Sequence, residues 1–260
     1  MISGAEQHRI GRALASVSDW ATEILVVINE EVRDGTDLVC ESWGAKVFRE
    51  PWKGYVAQKN SVTEKASCPW ILGLDADEEV PLKLWTEIAT VLQSPEFNRR
   101  YAAFSFPRCS YYCGRWIRHG DWYPDRVLRL WRKGSAVWVG IGIHERLQVQ
   151  GEIGRLRSDL LHYSYASINT LLEKIGRYSD PFVEHCLAVG RKATWLDLVV
   201  RPLWKFLRGY FFRLGFLDGW PGYHIASAGA FSTLTRYAKV REASLKTDVK
   251  SFERAPPAGK

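Results

Sequence analysis

The sequence predicts an α/β domain followed by a helical region. Short apolar runs that do not alternate with polar residues, as at 23–28 and 69–74, are typical of strands buried on both faces of a sheet. Stretches with helical spacing separate these runs, and from about residue 165 the helical spacing continues without further strand patterns. We therefore expect a mostly parallel sheet flanked by helices in residues 1–164, and a helical, basic and aromatic region in residues 165–260.

The elements of the first region follow in chain order from these patterns. The predicted strands share a short apolar run and lie at 23–28, 45–48, 69–74, 101–106 and 126–132. The predicted helices share apolar residues three or four positions apart and lie at 6–17, through Val39 and Trp43, at 56–67 and after Pro81. Residues 1–4 are too short to predict a strand. In such an alternation, ligands are expected at the carboxyl ends of the strands.

The composition describes a globular protein with a local excess of positive charge. Hydrophobic residues make up 46% and charged residues 25% of the 260 positions, which excludes a disordered chain. The net charge is +7, and residues 201–260 account for all of it, with eleven Lys or Arg against four Asp or Glu. This segment predicts an anionic partner, such as a phosphate, a nucleic acid or an acidic membrane surface.

The cysteines and the opening residues predict the compartment. The five cysteines show neither a disulfide framework nor a strong zinc spacing, so we expect reduced thiols in a cytoplasmic protein. No charged and apolar leader opens the chain, and no apolar run reaches the length of about 18 residues that a membrane span needs. We therefore expect neither a secreted nor a transmembrane protein.

Residues 196–217 predict a strongly amphipathic helix. Arg201, Lys205 and Arg208 recur on one side, while aromatic and aliphatic residues cover the rest of the circumference. These charges argue against a helix that spans a bilayer and favour one that lies in a membrane interface, with the cations at the headgroups. An ordinary helix packed on the first domain is the alternative.

The sharpest motif is Asp75-Ala76-Asp77, which comes directly after the predicted strand at 69–74. Two carboxylates two positions apart on extended chain can face the same side, where the strand emerges into solvent. This arrangement suits Mg²⁺ or Mn²⁺, which take oxygen ligands from one or two carboxylates together with substrate phosphates. The alternative is a solvated acidic turn that begins the following helix.

Two histidines stand near other groups of interest. His144 precedes Glu145, a carboxylate that could act as a general base in an aromatic-walled site. The pair could equally be a surface pair. His162 could complete a metal shell, or it could be a hydrogen-bonded histidine of the core.

Taken together, several stretches resemble one known family. Residues 23–28 with 34–36, 51–55 with 58–60, and 70–78 resemble the family 2 inverting glycosyltransferases. Further stretches are similar to the lipopolysaccharide core glucosyltransferase-like branch of that family, and they lie at 114–120, 122–125, 129–130, 144–145, 161–164 and 215–219. The resemblance covers nearly the whole chain.

The resemblance implies a GT-A fold and a nucleotide-diphosphate sugar donor, usually a UDP-sugar. It also implies a divalent cation, Mn²⁺ or Mg²⁺, that bridges the diphosphate to Asp75 and Asp77, with His162 near the metal. Inversion needs a base on the acceptor side, for which the match gives Glu145 first and Asp125 second. The residues implied to bind the donor are Glu6, Asn29, Asp34, Lys59, Asp75, Arg126, Arg129 and His144.

The sequence departs from the family pattern at two places. The full apolar first strand of the family is represented only by residues 1–6, so we expect this strand to be truncated or shifted. The family's Asp-Ser-Gly-Ser-Thr-Asp turn is replaced by residues 29–34, where Asn29 stands in place of a carboxylate near the donor nucleoside. Both changes bear on which donor is preferred.

Three hypotheses follow. The first is a bacterial, metal-dependent inverting transferase that moves a hexose, glucose as the first choice, to a lipid-linked or lipopolysaccharide-core acceptor at the cytoplasmic face of the inner membrane, with no nucleic-acid partner. The second is a degenerate transferase that binds a nucleotide-sugar without turnover. The third is a basic nucleic-acid-binding module, which leaves the acidic motif after the buried strand unexplained.

Overall fold

A computed structural model describes residues 1–140, 145–165 and 167–253 of the chain. These residues form two compact units. The first unit contains Met1–Ser110 and Pro124–Ser164, and the second contains Tyr111–Tyr123 and the chain from Tyr165 onward. Each unit has hydrophobic clusters of its own.

A small parallel sheet opens the first unit. It contains β1 (Ile2–Ser3), β2 (Leu25–Asn29) and β3 (Lys46–Glu50), in that spatial order. The helices that follow these strands are α1 (Ile10–Ala15), α2 (Thr36–Ser42) and α3 (Tyr55–Lys65). The expectation that residues 1–4 form no strand is wrong, because Ile2 and Ser3 pair with Val27 and Ile28.

A larger, mixed sheet forms the rest of the first unit. Its strands include β4 (Trp70–Leu72), β5 (Glu78–Glu79), β6 (Tyr101–Tyr112), β8 (Asp125–Arg132), β11 (Glu152–Arg155) and β12 (Leu160–His162). The main path runs β4-β8-β6-β12-β5, and β11 also pairs with β6. Two helices, α4 (Leu82–Gln93) and α5 (Pro95–Arg100), and a separate hairpin of β9 (Ala136–Val139) and β10 (Arg146–Val149) complete the unit.

The prediction of a mostly parallel sheet holds for β1–β3 but not for the larger sheet. There β6 pairs antiparallel with β8 and parallel with β11 and β12. Antiparallel strands can follow one another through a short connection, whereas parallel strands need a long crossover. The two sheets are separate because β1 has only two residues and pairs with β2 alone, while β4 pairs with β8.

Helix α4 packs on the hydrophobic core of the first unit. Leu84, Ile88 and Val91 are buried on one face of this helix, at the spacing expected for an amphipathic helix. They pack with buried strand residues such as Phe106 and Leu130. This packing fixes the strands whose ends carry the acidic motif.

The second unit is mainly helical. Its elements are β7 (Arg115–Trp116), which pairs with the end of β6, and the helices α6 (Ile168–Ala188), α7 (Trp195–Leu207) and α8 (Gly219–Glu253). A capping box between Thr194 and Asp197 begins α7, and α7 packs against α8. None of the helices within the described residues combines the length and the apolar composition that crossing a bilayer requires.

Candidate active site

The end of β4 places Asp75 beside β8. The Gly73 N–H donates to the Arg129 carbonyl oxygen at 2.7 Å, so the pairing with β8 continues one residue past the strand. A Cβ atom at Gly73 would lie 2.9 Å from the Trp131 ring, which explains why a residue without a side chain stands there. Two residues later the chain turns, and the Asp75 carboxylate meets the side chain of Arg129.

Two cations hold the Asp75 carboxylate. Arg129 contacts Oδ2, and the Lys59 ammonium on α3 lies 3.3 Å from Oδ1. Both cations are buried, while the Asp75 side chain is 31% exposed. Desolvation opposes ionisation of Asp75, but the charges of Arg129 and Lys59 outweigh it and hold the pKa of Asp75 well below its usual range. Asp75 is therefore ionised at neutral pH.

Lys59 connects Asp75 to Glu145. The Lys59 ammonium lies 3.0 Å from Glu145 Oε1 and 4.6 Å from the centroid of the Trp138 ring. Two hydrogen bonds join the Asn60 side chain to the Trp138 backbone. The Trp138 N–H donates to Asn60 Oδ1, and Asn60 Nδ2 donates to the Trp138 carbonyl oxygen. One lysine thus joins the metal-ligand candidate and the base candidate, next to an aromatic wall.

Glu78 extends the same network, and no pattern in the sequence predicted this role. Its buried carboxylate accepts from Arg129 at 2.9 Å and from Arg108 at 3.3 Å, and it also accepts from the Asp75 N–H at 3.0 Å. Arg108 in turn donates to Asp125 at 2.6 Å. The result is one chain of alternating charges: Glu145, Lys59, Asp75, Arg129, Glu78, Arg108 and Asp125.

The negative charges of this network are offset only if Arg129 and Arg108 stay protonated. Desolvation works against the charge of Arg129, yet Asp75 and Glu78 raise its pKa. The same holds for Arg108, whose pKa is raised by Glu78 and Asp125 against the effect of burial. Three cations therefore share four carboxylates in the first unit.

Asp77 and His162 form a second contact beside this network. The Asp77 Oδ2 atom lies 3.5 Å from His162 Nε2, and Ser110 Oγ lies 3.4 Å from His162 Nδ1. Burial raises the pKa of Asp77, but the contact with His162 lowers it by more, so the net shift is downward. The strand pairing of β5 with β12 sets this arrangement, because Glu78 is the register partner of His162.

The carboxylates fit a divalent cation that is shared with a substrate. Within the part of the chain that the structure describes, no three His, Cys, Asp or Glu side chains lie close enough together to enclose a metal ion by themselves. Asp75 and Asp77 offer hard oxygen ligands, which suit Mg²⁺ or Mn²⁺ when phosphate oxygens and water complete the shell. The buried Arg129 Nε has no hydrogen-bond partner among the described residues.

The residues predicted to bind the nucleoside lie at the ends of β1 and β2. Thr36 connects two of them, since its hydroxyl accepts from the Glu6 N–H and donates to Asp34 Oδ1. The hydrogen bonds from Thr36 lower the pKa of Asp34. Asn29 Oδ1 accepts from the Glu31 N–H at 3.3 Å. Glu6 and Asp34 are therefore brought together, and their contact with a donor stays a prediction.

Two predicted donor ligands are placed differently or lie outside the description. Arg126 donates to the carbonyl oxygens of Ser105 and Leu156 at 2.7 and 2.9 Å, so it supports the backbone of the sheet. His144 lies outside the described residues. The roles of both residues toward the donor stay predictions.

Comparison with known proteins defines the class. Residues 5–147 match the family described as Glycosyl transferase family 2. An uncharacterized glycosyltransferase of Rickettsia typhi is 31% identical over 256 residues, which cover 95% of this chain and 87% of the relative. The lipopolysaccharide core biosynthesis glycosyltransferase LpsC of Rhizobium meliloti is 26% identical over 242 residues, 90% of this chain and 88% of LpsC. Among solved structures, residues 1–349 of S. aureus TarS align with a TM-score of 0.46 and 12% identity, covering 95% of this chain and 90% of that one.

The chain is thus an enzyme that transfers glycosyl groups. It belongs to glycosyl transferase family 2. The predicted resemblance is confirmed, as is the fold class of an α/β domain of the GT-A type with a helical C-terminal region.

Proposed function

We propose that the protein is a metal-dependent inverting glycosyltransferase that uses a nucleotide-diphosphate sugar, a UDP-hexose with glucose as the first choice. The observation that carries the proposal is the pair of buried cations, Lys59 and Arg129, on the Asp75 carboxylate at the end of β4. Residues 1–164 would form the nucleotide-sugar-binding and catalytic domain, and residues 165–260 the helical C-terminal domain.

Charge balance suggests how the donor would bind. A diphosphate brings negative charge that competes with Asp75 for Lys59 and Arg129, and charge-assisted hydrogen bonds to phosphate are strong. Asp75 and Asp77 would then hold the divalent cation, with His162 beside Asp77. The cation would neutralise charge on the diphosphate leaving group. In this scheme the cation and the nucleotide enter the site together.

The same exchange would activate a base. Glu145 lies 3.0 Å from the Lys59 ammonium, which would leave this carboxylate when it turns to the diphosphate. The Glu145 carboxylate would then be free to accept the proton of an acceptor hydroxyl. Asp125, which accepts hydrogen bonds from Arg108 Nε and Nη2, is the second candidate that the family resemblance implies.

The acceptor is proposed from the relatives and from charge. LpsC is named for lipopolysaccharide core biosynthesis, and the basic excess of residues 201–260 suits an anionic, lipid-linked saccharide. We place the enzyme on the cytoplasmic face of the inner membrane, where such an acceptor would be presented. No nucleic acid is needed as a partner.

A ligand panel tests the proposal. Purified protein is titrated with UDP, UDP-glucose, UDP-galactose and GDP-mannose, each with Mn²⁺, Mg²⁺ or EDTA, and thermal stability and release of free nucleotide are followed. We expect one nucleotide class to raise the melting temperature only with metal, because a ligand that binds the folded state stabilises it. Binding without nucleotide release, with a lipid-linked acceptor present, would favour a degenerate transferase. No response to any donor would contradict the proposal.

A further inference from the structure

The outward side of α7 is apolar. Six of its residues recur at spacings of three and four, and each is between 51% and 70% exposed: Trp195, Leu196, Val199, Val200, Leu203 and Trp204. Other residues of the helix face the protein: Leu198 packs on a buried cluster, and Pro202 is buried. A helix of a globular protein normally turns its apolar side to the core. In α7, a second apolar side faces solvent.

Phe212 extends this surface beyond the end of α7. Its ring lies 5.5 Å from the ring of Trp204, and its side chain is among the most exposed of the large apolar residues. We call the six α7 residues together with Phe212 the α7 face. Contiguous exposed apolar area of this kind is uncommon on proteins without a partner and marks a protein or membrane contact.

The cations in and beside α7 are not part of the α7 face, and acidic residues bind them. Asp121 pairs with three cations and Asp197 with two. The ion pairs measure 2.5 to 3.4 Å and join Lys205, Arg208 and Arg213 to Asp121, and Arg191 and Arg201 to Asp197. Five positive charges against two negative ones leave this cluster with an excess of three positive charges.

We infer that the α7 face inserts into the interface of an anionic lipid bilayer. Trp is enriched at the level of the headgroups, Trp, Phe and Leu form the apolar side of interfacial helices, and the excess of positive charge in this cluster is complementary to acidic headgroups. The amphipathic pattern at 196–217 predicts cations at the headgroups and apolar side chains in the interface. The structure exposes the apolar side chains of the α7 face and pairs Arg201, Lys205 and Arg208 with Asp197 and Asp121. The inference deepens the proposed function, because this surface would bring the enzyme to a lipid-linked acceptor.

Flotation of the full chain with vesicles tests the inference without donor or turnover. The wild type is compared with a double variant, Leu203→Glu with Trp204→Glu, on vesicles of phosphatidylcholine with and without phosphatidylglycerol. Both positions are exposed, so the fold should be retained. A matched control is Leu82→Glu in the first unit, where the leucine is 77% exposed. Charge reversal of the α7 cations is unsuitable, since it would break the pairs with Asp121 and Asp197.

We expect the wild type and Leu82→Glu to float with phosphatidylglycerol vesicles, and the double variant to lose at least roughly 10-fold in vesicle affinity. Added salt should weaken binding by the wild type only in part, because the apolar contact is not screened. Equal flotation of the double variant would overturn the inference. So would a wild type that stays off the vesicles, or one that forms a dimer that the double variant loses. Nucleotide binding, measured separately, reports on the proposed function and does not depend on these outcomes.

Discussion

Replacing Lys59 by Met tests the link between Asp75 and the donor. The lysine ammonium lies 3.3 Å from Asp75 Oδ1 and 3.0 Å from Glu145 Oε1. Two unit charges 3.3 Å apart interact by about 5 kcal/mol at an effective dielectric constant of about 20. Desolvation offsets much of this, and a charge-assisted hydrogen bond contributes a net of about 1.5–3 kcal/mol. Met keeps an unbranched apolar side chain that is one atom shorter, and it removes the charge and its donors.

Lys59→Met should change the affinities for UDP and for Mn²⁺ in opposite directions. UDP in the presence of Mn²⁺ should bind roughly 10- to 100-fold more weakly, because a phosphate oxygen loses its charged donor. Mn²⁺ alone should bind roughly 10-fold more tightly, because Asp75 Oδ1 no longer has a competing cation. Isothermal titration calorimetry gives the UDP affinity, and electron paramagnetic resonance counts free Mn²⁺.

Lys53→Met is the matched control for these measurements. Lys53 pairs with Glu50 at 2.9 Å in the same unit and makes no contact with Asp75 that the structure shows within its described residues. It should leave both affinities unchanged. Unchanged UDP affinity in Lys59→Met, or a parallel loss of Mn²⁺ and UDP binding, would refute the reasoning about ion-pair exchange. Thermal unfolding of both variants checks that the fold is intact.

Three further predictions concern stability and thiol chemistry. Glu78→Gln should lower the free energy of unfolding in urea by about 3 kcal/mol, because it removes the buried charge between Arg129, which is buried, and Arg108, which is half-buried. Glu152→Gln, at an exposed pair, should change this free energy little, and equal effects would contradict the role of Glu78. The folded-state pKa values of Asp75 and Asp77 lie below the unfolded values near 3.9, so their contribution to stability is complete above about pH 4 and is lost as pH falls through the folded pKa values. The urea concentration at the midpoint of unfolding should therefore decrease as the pH falls below about 4, and it should decrease less steeply with pH in Asp75→Asn. The same pH dependence of the midpoint in both proteins would count against this pair. Burial raises the pKa of the Cys40 thiol to about 11, so it should react with a thiol reagent at pH 8 only after unfolding, as mass spectrometry of the labelled peptide would show; rapid labelling in the native protein would be inconsistent with its burial.

The sequence was sufficient for the elements that depend on local patterns. The apolar run of β2 is buried at Val26, Val27 and Ile28, and the acidic motif follows β4 as predicted. A resemblance to known enzymes then supplied Lys59 and Glu145, which lie together although 86 residues separate them in the chain.

What the sequence missed depends on register and on contacts between distant segments. Arg108 lies opposite Asp125 only because β6 and β8 pair in one particular register, and a bulge between Phe104 and Ser105 shifts that register. Such pairings cannot be read from either strand alone. Glu78 belongs to a strand of two residues, which is too short to show a pattern.

The predicted helix at 196–217 also ends early for a non-local reason. The α-helix stops at Leu207, a π-helical segment continues through Arg208–Phe212, and Leu214 then adopts a left-handed conformation with φ of 58°. A Cβ atom at Gly215 would lie 2.6 Å from the Gly209 carbonyl oxygen, so two backbone segments approach here as only glycine allows. The sequence showed the amphipathic pattern but not which side of the helix the acidic residues Asp121 and Asp197 occupy.

The most direct test of the central claim is the affinity of UDP, measured by calorimetry with Mn²⁺ and with EDTA, in the wild type and in Asp77→Asn. We expect Mn²⁺ to strengthen binding in the wild type and Asp77→Asn to lose most of this metal-dependent gain, at least roughly 10-fold, while its thermal unfolding shows an intact fold. An Asp77→Asn protein that binds UDP with Mn²⁺ as tightly as the wild type would contradict the assignment of this carboxylate to the metal and, with it, the proposed site.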